Sequence, residues 1–304
     1  MSIDATVDWV QCGRAFSEQE IEQIRETVAY LPRLSRRELA STVCEHLDWS
    51  TASGTPKRQA CEKLLEKLEA AGLIALPVSR AVKTSPVSRT KVTLSERTRA
   101  GTPVISRLSE LDPVHLALVT TREETALWNE YVERFHPLGY KGVFGYRLRY
   151  FILCGSLRLG CILLGGGAKA IAVRDQWIGW DPQLRLRNLP WIINNSRFLI
   201  FPHIQVPHLA SHVLGQLARR VSDDWHIRWG FSPLLMETFV DPRQYTGACY
   251  RAAGWELLGE TSGRGLTRPG KQYQSTPRWV LVKPLQKEFR QRLCTTPLSG
   301  RVVS

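Results

Sequence analysis

Residues 148–168, LRYFILCGSLRLGCILLGGGA, are the part of the chain that most constrains its fold. Two apolar runs flank Gly155 and Ser156, and such a pair between two apolar runs predicts a tight β-hairpin. The glycines that follow the second run mark the end of its strand. The chain is therefore expected to build an antiparallel sheet around this hairpin.

Strands and helices alternate along the sequence on both sides of the hairpin. Apolar runs at 114–120, 196–207, 233–240 and 256–261 predict further strands. The spacing of apolar residues predicts helices over 122–136, 208–221 and 245–255, the last of which ends at Gly254. This order predicts an α+β fold, with a mixed sheet flanked by helices in a domain of residues 105–304.

The first 76 residues have a helical pattern. Ser17 with Glu20, and Ser35 with Glu38, are two capping-box signals, and each precedes apolar residues at helical spacing. A third helix is expected over about 56–71, followed by a short strand at LIALP, residues 73–77. Three helices and a strand predict a winged-helix-like module, which binds DNA by placing one helix in a groove. A helical module for contacts between proteins is the alternative.

Basic residues are in clear excess. The chain has 41 Lys and Arg against 28 Asp and Glu, a formal net charge of +13. An anionic partner is therefore expected, with DNA or RNA ahead of a membrane surface, and a basic enzyme without such a partner is the alternative. The candidate phosphate contacts in the module are Arg36, Arg37, Lys57 and Arg58.

Residues 77–104 are rich in Pro, Ser and Thr and contain one acid, Glu96. They predict a basic linker between two domains. Its cations, which include Arg89 and Lys91, either follow a phosphate backbone or are simply solvated.

The compartment is inferred from what the sequence lacks. It contains no run of 18 apolar residues and no secretion signal at its start, so neither a membrane span nor export is expected. Seven scattered cysteines without a CxxC pair predict a reduced, cytoplasmic protein without a structural zinc site. His208 and His212 lie one helical turn apart but have no acidic third ligand in the motif, so no metal is expected.

The element order resembles the GNAT acyltransferase fold, and CYRAAGW, residues 249–255, is similar to that family's late-helix motif. The resemblance implies that the hydroxyl of Tyr250 protonates a departing thiolate. GNAT enzymes hold the coenzyme A pyrophosphate on a glycine-rich turn, where this chain has VPHLAS with Val206, Leu209 and Ser211 at the key positions. We therefore do not expect ordinary acetyl-CoA binding, and the cofactor is unknown.

A more specific resemblance is to the DruA family of the Druantia anti-phage system, whose members also occur beside or fused to transposases. It is carried by FHPLGY, GYRLRY, RDQWIGW, RNLPWIINNSRFLIFPHIQVPHLASHVL, METFVDPRQYTGACYRAAGW and GETSGRG. CGRAFSEQEIEQIRE and LSRRELA extend it towards the amino terminus. The family implies a role in defence or in mobile-element DNA rather than a particular reaction.

Two clusters are candidates for ligand binding. The first cluster lies in a segment without periodicity and consists of Arg174, Asp175 and Trp180. These side chains either stack on a planar ligand and bind its phosphate or anchor a loop on the sheet. NNSR, residues 194–197, precedes an expected strand and either binds a polar substrate or forms a turn. The candidates in this second cluster are Asn194, Asn195 and Arg197.

Carboxylates at the end of one expected strand are candidates for catalysis. Glu237 is the preferred general base because apolar neighbours raise the pKa of a carboxyl, and Asp241 follows it; pairing of Glu237 with Arg251 is the structural alternative. Thr261 and Arg264 lie in a flexible turn that can hold a phosphate or carboxylate.

Three functions are compatible with these features. The first is a nucleic-acid-associated protein of the DruA type in phage defence or mobile-element DNA processing. The second is a transferase with an unusual donor such as aminoacyl-tRNA, in which Tyr250 and Glu237 handle protons. The third is a noncatalytic adaptor for a helicase or transposase. A nuclease is disfavoured because DDE-like and HNH-like spacings are missing.

Overall fold

The computed structural model describes residues 9–31, 34–47, 49–51, 56–77, 92–140, 145–168, 170–181, 184–185, 188–263 and 276–295. The chain divides into two compact units. The described residues up to 77, together with Gly145 and Tyr146, belong to the first unit, and the remaining described residues belong to the second.

The first unit contains a small hairpin and three helices. Its elements are β1 (Trp9–Gln11), β2 (Arg14–Phe16), α1 (Glu18–Tyr30), α2 (Arg36–His46) and α3 (Arg58–Ala70). Both expected capping boxes are present. The Ser17 hydroxyl accepts from the backbone N–H of Glu20, and that of Ser35 accepts from the N–H of Glu38 at 3.3 Å. The apolar faces of the three helices form the core of this unit.

The expected strand at LIALP is wrong. Residues 74–77 are described but form no strand, and the backbone N–H of Leu76 donates instead to the carboxylate of Glu69 at 2.8 Å. The hairpin β1–β2 lies before α1 rather than after α3, and Cys12 and Gly13 form its turn at positive φ. The first unit thus has three helices and two strands, and its winged-helix character stays a prediction.

The second unit is built on a seven-stranded mixed sheet. Its strands are β4 (Val114–Leu118), β5 (Leu148–Cys154), β6 (Leu157–Gly166), β7 (Ile192–Ile200), β9 (Leu235–Val240), β10 (Glu256–Glu260) and β11 (Trp279–Pro284). Two short strands, β3 (Val104–Ile105) and β8 (Ile204–Gln205), pair in parallel. The helices are α4 (Arg122–Phe135), α5 (Ala172–Ile178), α6 (Leu209–Trp229), α7 (Ala248–Ala252) and α8 (Phe289–Cys294). Within the described residues, no helix is both long and apolar enough to cross a membrane.

The strand order is β10-β11-β9-β7-β6-β5-β4. All neighbouring strands are antiparallel except β7 and β9, which are parallel. The expected hairpin turns at Gly155 and Ser156 and forms β5 and β6, which lie between the central strand β7 and the edge strand β4. The element order and the mixed sheet are those expected of a GNAT-like domain. Strand β11, which lies between β9 and β10, was not predicted.

Helices α4 and α6 cover opposite faces of this sheet. Successive residues of a strand point to opposite faces. The guanidinium of Arg149 lies over the ring of Trp128 in α4, whereas the hydroxyl of the next residue, Tyr150, donates to Asp224 in α6 at 2.9 Å. The sheet is therefore the middle layer of three.

The end of the expected linker packs on α4. The carboxylate of Glu130 accepts hydrogen bonds from the backbone N–H of Ser95 and from the hydroxyl of Thr98, and Arg134 donates to the carbonyl oxygen of Ser95 at 2.7 Å. The second unit therefore begins before residue 105. Residues 78–91, with Arg89 and Lys91, lie outside the described residues.

We predict that Gly160→Ala destabilises the second unit by about 1–3 kcal/mol, because a β-carbon at Gly160 clashes with the backbone carbonyl oxygen of Leu199 in the adjacent strand. Gly166 is the matched control in the same strand, since a β-carbon there meets no atom within 4 Å. Urea unfolding of both variants measures the difference. Equal midpoints for the two variants contradict the prediction.

Candidate functional site

The pairing of β7 with β9 ends partway along both strands. Their parallel register runs from Ile192 opposite Leu235 to Asn194 opposite Glu237, although both strands continue further. Just past this point the hydroxyl of Thr238 donates to the carbonyl oxygen of Asn195 at 3.0 Å. The pairing between the two strands, which are neighbours in the middle of the sheet, ends there.

Tyr250 lies beside the point where this pairing ends. The short helix α7 carries it, between Gly247 and Gly254, which both have positive φ. Its hydroxyl oxygen accepts from Nδ2 of Asn195 at 3.3 Å and lies 3.5 Å from the hydroxyl oxygen of Thr238.

Burial holds the Tyr250 hydroxyl in its protonated form. It raises the pKa of Tyr250 well above its ordinary value, and the hydrogen bond to Thr238 opposes this only in part. The rings of Phe198 and Trp255 pack edge-on against Tyr250, at centroid distances of 6.0 and 5.0 Å. Tyr250 is thus a neutral, oriented phenol that can donate a proton.

Glu237 is held in a buried ion pair. The side chains of Glu237 and Arg174 are both fully buried, and Nη1 of Arg174 lies 2.7 Å from Oε2 of Glu237. The other carboxylate oxygen accepts the backbone N–H of Ala168 at 2.6 Å. Both oxygens of Glu237 are therefore engaged. Glu237 was expected to have the apolar surroundings of a general base, but it contacts Arg174. Arg251, the alternative partner expected for Glu237, donates instead to the carbonyl oxygen of Thr246.

Asp175 completes this network. Its Oδ1 accepts from Nη2 and Nε of Arg174 at 2.7 and 2.9 Å and from the indole N–H of Trp180 at 3.2 Å. Burial by itself lowers the pKa of Arg174. The carboxylates of Glu237 and Asp175 have the larger combined effect, so the pKa of Arg174 is raised. The expectation of an irregular segment is wrong, because Ala172–Ile178 is the helix α5. Arg174, Asp175 and Trp180 bind one another, as the loop-anchor alternative requires.

The NNSR segment lies inside β7 rather than before it. Asn195 faces Tyr250, and the side-chain oxygens of Asn194 and Asn195 are buried without a hydrogen-bond partner among the described residues. Arg197 donates to two backbone carbonyl oxygens, those of Ser196 at 2.6 Å and Gly139 at 3.3 Å. The structure thus brings Asn195 together with Tyr250.

Asp241 and Thr261 lie in less enclosed positions. Asp241 pairs with Arg243 at 2.9 Å, and the hydrogen bonds from Arg243 lower the pKa of Asp241 to about 2. A carboxylate with so low a pKa is a poor proton acceptor near neutral pH. Thr261 bonds to the backbone of Arg278 through both its N–H and its hydroxyl oxygen. Arg264 lies outside the described residues.

The four candidate phosphate contacts of the first unit do not form one patch. Arg36 is engaged, because it pairs with Glu69 at 3.2 Å and donates to the carbonyl oxygen of Pro77 at 2.9 Å. This pair joins the start of α2 to the end of α3, so the two helices are antiparallel. Lys57 and Arg58 therefore lie at the other end of α3, about 18 Å away at 1.5 Å per residue.

In the turn before α6, His208 rather than a glycine has a positive φ. Leu209 is only 1% exposed, so its side chain belongs to the core beneath the start of α6. His212 contacts the amide of Gln216 one turn later, with the two Nε2 atoms 2.8 Å apart. Among the described residues, no group of three or more His, Cys, Asp or Glu side chains is arranged to hold a metal ion.

Two arginines in or beside strands of the seven-stranded sheet were not identified from the sequence. Arg149 lies in β5, and Arg278 precedes β11 close enough to Arg197 to lower its pKa. The alternation in GYRLRY places both Arg147 and Arg149 on one face of a strand, which was a usable signal. The position of Arg278 depends on β11, which was not predicted.

We predict that Glu237→Gln destabilises the protein by about 3–5 kcal/mol, because it leaves the buried charge of Arg174 without its main partner. Glu123→Gln is the control, since its exposed pair with Arg97 is worth about 0–1 kcal/mol. Chemical denaturation measures both. A stable Glu237→Gln variant that has lost a specific activity contradicts the structural role and restores that of a base.

The chain is distantly similar to a number of solved structures. Among solved structures, the aminoglycoside acetyltransferase AAC(6')-Ib in complex with coenzyme A and kanamycin is 14% identical, with 59% of this chain and 98% of that chain covered and a TM-score of 0.37. FeeM, an N-acyl amino acid synthase from uncultured soil microbes, is 11% identical, with 59% and 94% covered and a TM-score of 0.35. A Bacillus subtilis acetyltransferase in complex with CoA is 10% identical, with 57% and 100% covered and a TM-score of 0.34.

None of the curated proteins compared with the chain matches it. The family model described as Druantia protein DruA matches residues 67–292, which is well over half of the chain and includes every strand of the seven-stranded sheet. The chain belongs to the DruA family.

Proposed function

We propose that this DruA-family protein associates with nucleic acid and acts in phage defence or in mobile-element DNA processing. The observation that carries the proposal is the net charge of +13 of the whole chain. Family membership supports the biological context. All seven cysteines are free thiols, which supports the cytoplasmic location that this role requires.

The first unit neutralises some of its cations and leaves others available. Arg14, Arg25 and Arg36 form ion pairs with Glu20, Glu22 and Glu69. By contrast, no ion pair to a carboxylate is found in the described part of the chain for three cations, namely Arg37, Lys57 and Arg58. Cations without partners at the surface release counterions from a phosphate backbone when they bind it. These three are therefore our proposed contacts in this unit.

We predict that the full chain binds duplex DNA with an affinity that falls linearly on a log–log plot against salt. Replacing Arg37, Lys57 and Arg58 together by Gln lowers the magnitude of this slope by about 2.7, since each lost phosphate contact accounts for about 0.9. Fluorescence anisotropy between 50 and 300 mM salt measures the slopes.

Arg25→Gln is the control, because Arg25 is already paired with Glu22. Binding that does not depend on salt, or no binding at all by the unmodified chain, contradicts the proposed association. An unchanged slope in the triple variant removes these three residues from it.

A transferase is the second candidate, and the position of Tyr250 favours it. A buried phenol whose pKa is raised, oriented by Asn195 beside the point where the pairing of β7 with β9 ends, is suited to protonate a leaving group. The sequence VPHLAS, which lacks the glycines of a pyrophosphate-binding turn, argues for a donor other than acetyl-CoA. We propose aminoacyl-tRNA as this donor, because its phosphates suit a basic protein. Glu237 has no proton-transfer role in this scheme, because both its oxygens are engaged.

The transferase candidate is tested by acyl transfer from radiolabelled aminoacyl-tRNA. Tyr250→Phe abolishes transfer if the phenol donates the proton, whereas Tyr245→Phe, at a residue that is 51% exposed, does not. Thermal melts establish that both variants are folded. Full activity of Tyr250→Phe removes this residue from the mechanism. If phage defence survives in Tyr250→Phe, the noncatalytic adaptor for a helicase or transposase becomes the better account.

A further inference from the structure

Two arginines of the second unit lie in one row across the sheet. Arg149 of β5 is opposite Leu163 of β6, which in turn is opposite Arg197 of β7. Residues that are directly opposite in antiparallel strands point to the same face. That face is the one that carries α4, because the guanidinium of Arg149 lies 5.4 Å from the ring centroid of Trp128. The row spans two strand spacings, about 10 Å.

Both arginines of this row make only neutral contacts. Arg149 donates to the hydroxyl of Tyr140 at 3.5 Å, and its Nε is buried without a hydrogen-bond partner among the described residues. Arg197 donates to the carbonyl oxygens of Ser196 and Gly139. Neither arginine has an ion pair with any carboxylate in the described ranges. Each side chain is half-buried, so its charge is neither neutralised nor fully solvated.

Two other arginines of this unit have carboxylate partners. Arg174 pairs with Glu237 and Asp175, and Arg220 pairs with Asp224. These pairs stabilise the guanidinium charge, and they raise the pKa of Arg220, with the hydrogen bond to Asp224 as the largest cause. Not every arginine of this unit has such a partner, because half-buried Arg134 donates to the hydroxyl of Thr98 and the carbonyl oxygen of Ser95 instead. In Arg149 the donors are not all filled, since its Nε is buried without a partner among the described residues, and an anion supplied from outside would stabilise its charge.

The charged groups around the row add positive charge. Burial lowers the pKa of Arg197, and Arg278 lowers it further; burial and Arg147 do the same for Arg149. His136 at the end of α4 stays neutral, because burial and then Arg197 lower its pKa to about 4. Its Nδ1 accordingly accepts the backbone N–H of Leu138 at 3.1 Å.

Asp241 is a carboxylate that lies close to Arg278. Its ion pair is with Arg243 at 2.9 Å, and the charge of Arg278 contributes less to lowering its pKa. The group of Arg197, Arg278, Arg243 and Asp241 therefore still has an excess of positive charge.

We propose that the row of Arg149 and Arg197 binds the phosphate backbone of a nucleic acid on the α4 face of the sheet. This rests on the proposed function and assigns it a second contact surface, on the DruA core rather than on the amino-terminal module. A separation of about 10 Å matches about three nucleotides of one strand at 3.4 Å each. The shape of guanidinium groups suits phosphate oxygens, which accept two parallel hydrogen bonds.

The test compares the salt dependence of DNA binding by full-length variants. The double variant Arg149→Gln, Arg197→Gln is expected to lower the slope by about 1.8 and to weaken binding about 30-fold at 0.15 M salt, because each lost contact lowers the affinity about five-fold there. The matched control is Arg122→Gln, Arg219→Gln, which removes the same charge from the far end of α4 and from α6 on the other face. Its slope is expected to match that of the unmodified chain.

The variants separate electrostatic contact from a structural role. Arg149→Lys, Arg197→Lys keeps both charges and is expected to keep most of the slope, although it loses the hydrogen-bond geometry of the guanidinium. If the Gln variant unfolds, chemical modification of arginines in the unmodified chain tests the proposal instead. DNA is expected to protect Arg149 and Arg197, and not Arg219, from phenylglyoxal, as measured by peptide mass spectrometry.

The outcomes distinguish this proposal from the broader one. If the unmodified chain binds no nucleic acid, the proposed function fails and the row fails with it. If it binds, but the Gln variant keeps the full slope or DNA leaves both arginines reactive, only the row is overturned. Equal losses in the Gln variant and in the control Arg122→Gln, Arg219→Gln also overturn it, because they indicate total charge rather than a site.

Discussion

The buried ion pair between Arg174 and Glu237 determines how the centre of the second unit is organised. Glu237 is opposite Asn194 in the last paired position of the two parallel strands, β7 and β9. Its carboxylate binds the guanidinium of Arg174 and the backbone N–H of Ala168, so it ties α5 and the segment before α5 to this point. Removing two charges from water is costly, and only a complete set of partners offsets that cost. Asp175 and Trp180 complete the set.

This arrangement leaves the next position along the strands for chemistry. One residue beyond the ion pair, Thr238 bridges to Asn195, whose side chain donates to the hydroxyl of Tyr250. The carboxylate that precedes this point is engaged, and the phenol beside it is neutral and oriented. A proton donor is therefore present where the pairing ends, while the nearest buried carboxylate maintains the fold. For the proposed transferase, this division of roles favours acid rather than base chemistry at the centre of the sheet.

Among the described residues, some arginines have carboxylate partners and others do not. Those with carboxylate partners, such as Arg174 and Arg220, stabilise contacts between elements. Those without such partners, such as Arg149 and Arg197, retain charge beside a half-buried surface where desolvation makes it unfavourable. The net charge of +13 is thus distributed unevenly. A phosphate backbone is a suitable partner for the arginines that have no carboxylate partner.

The sequence alone determined the local elements and the family. Capping boxes at Ser17 and Ser35, the hairpin at Gly155 and the alternation of strands with helices depend on neighbouring residues, so they could be recognised directly. Long contiguous motifs identified the DruA family in the same way. The sequence also placed Tyr250 on a short helix and Asn195 beside a candidate strand.

The tertiary structure decided which charges meet. The partner of Glu237 is Arg174, which is 63 residues away in the chain, whereas the sequence suggested the nearer Arg251. The same holds for Arg149 and Arg197, which only the register of three strands places in one row. Periodicity specifies the face of an element, whereas pairing across a sheet depends on strand order and bulges, and these are set by the packing of the whole unit.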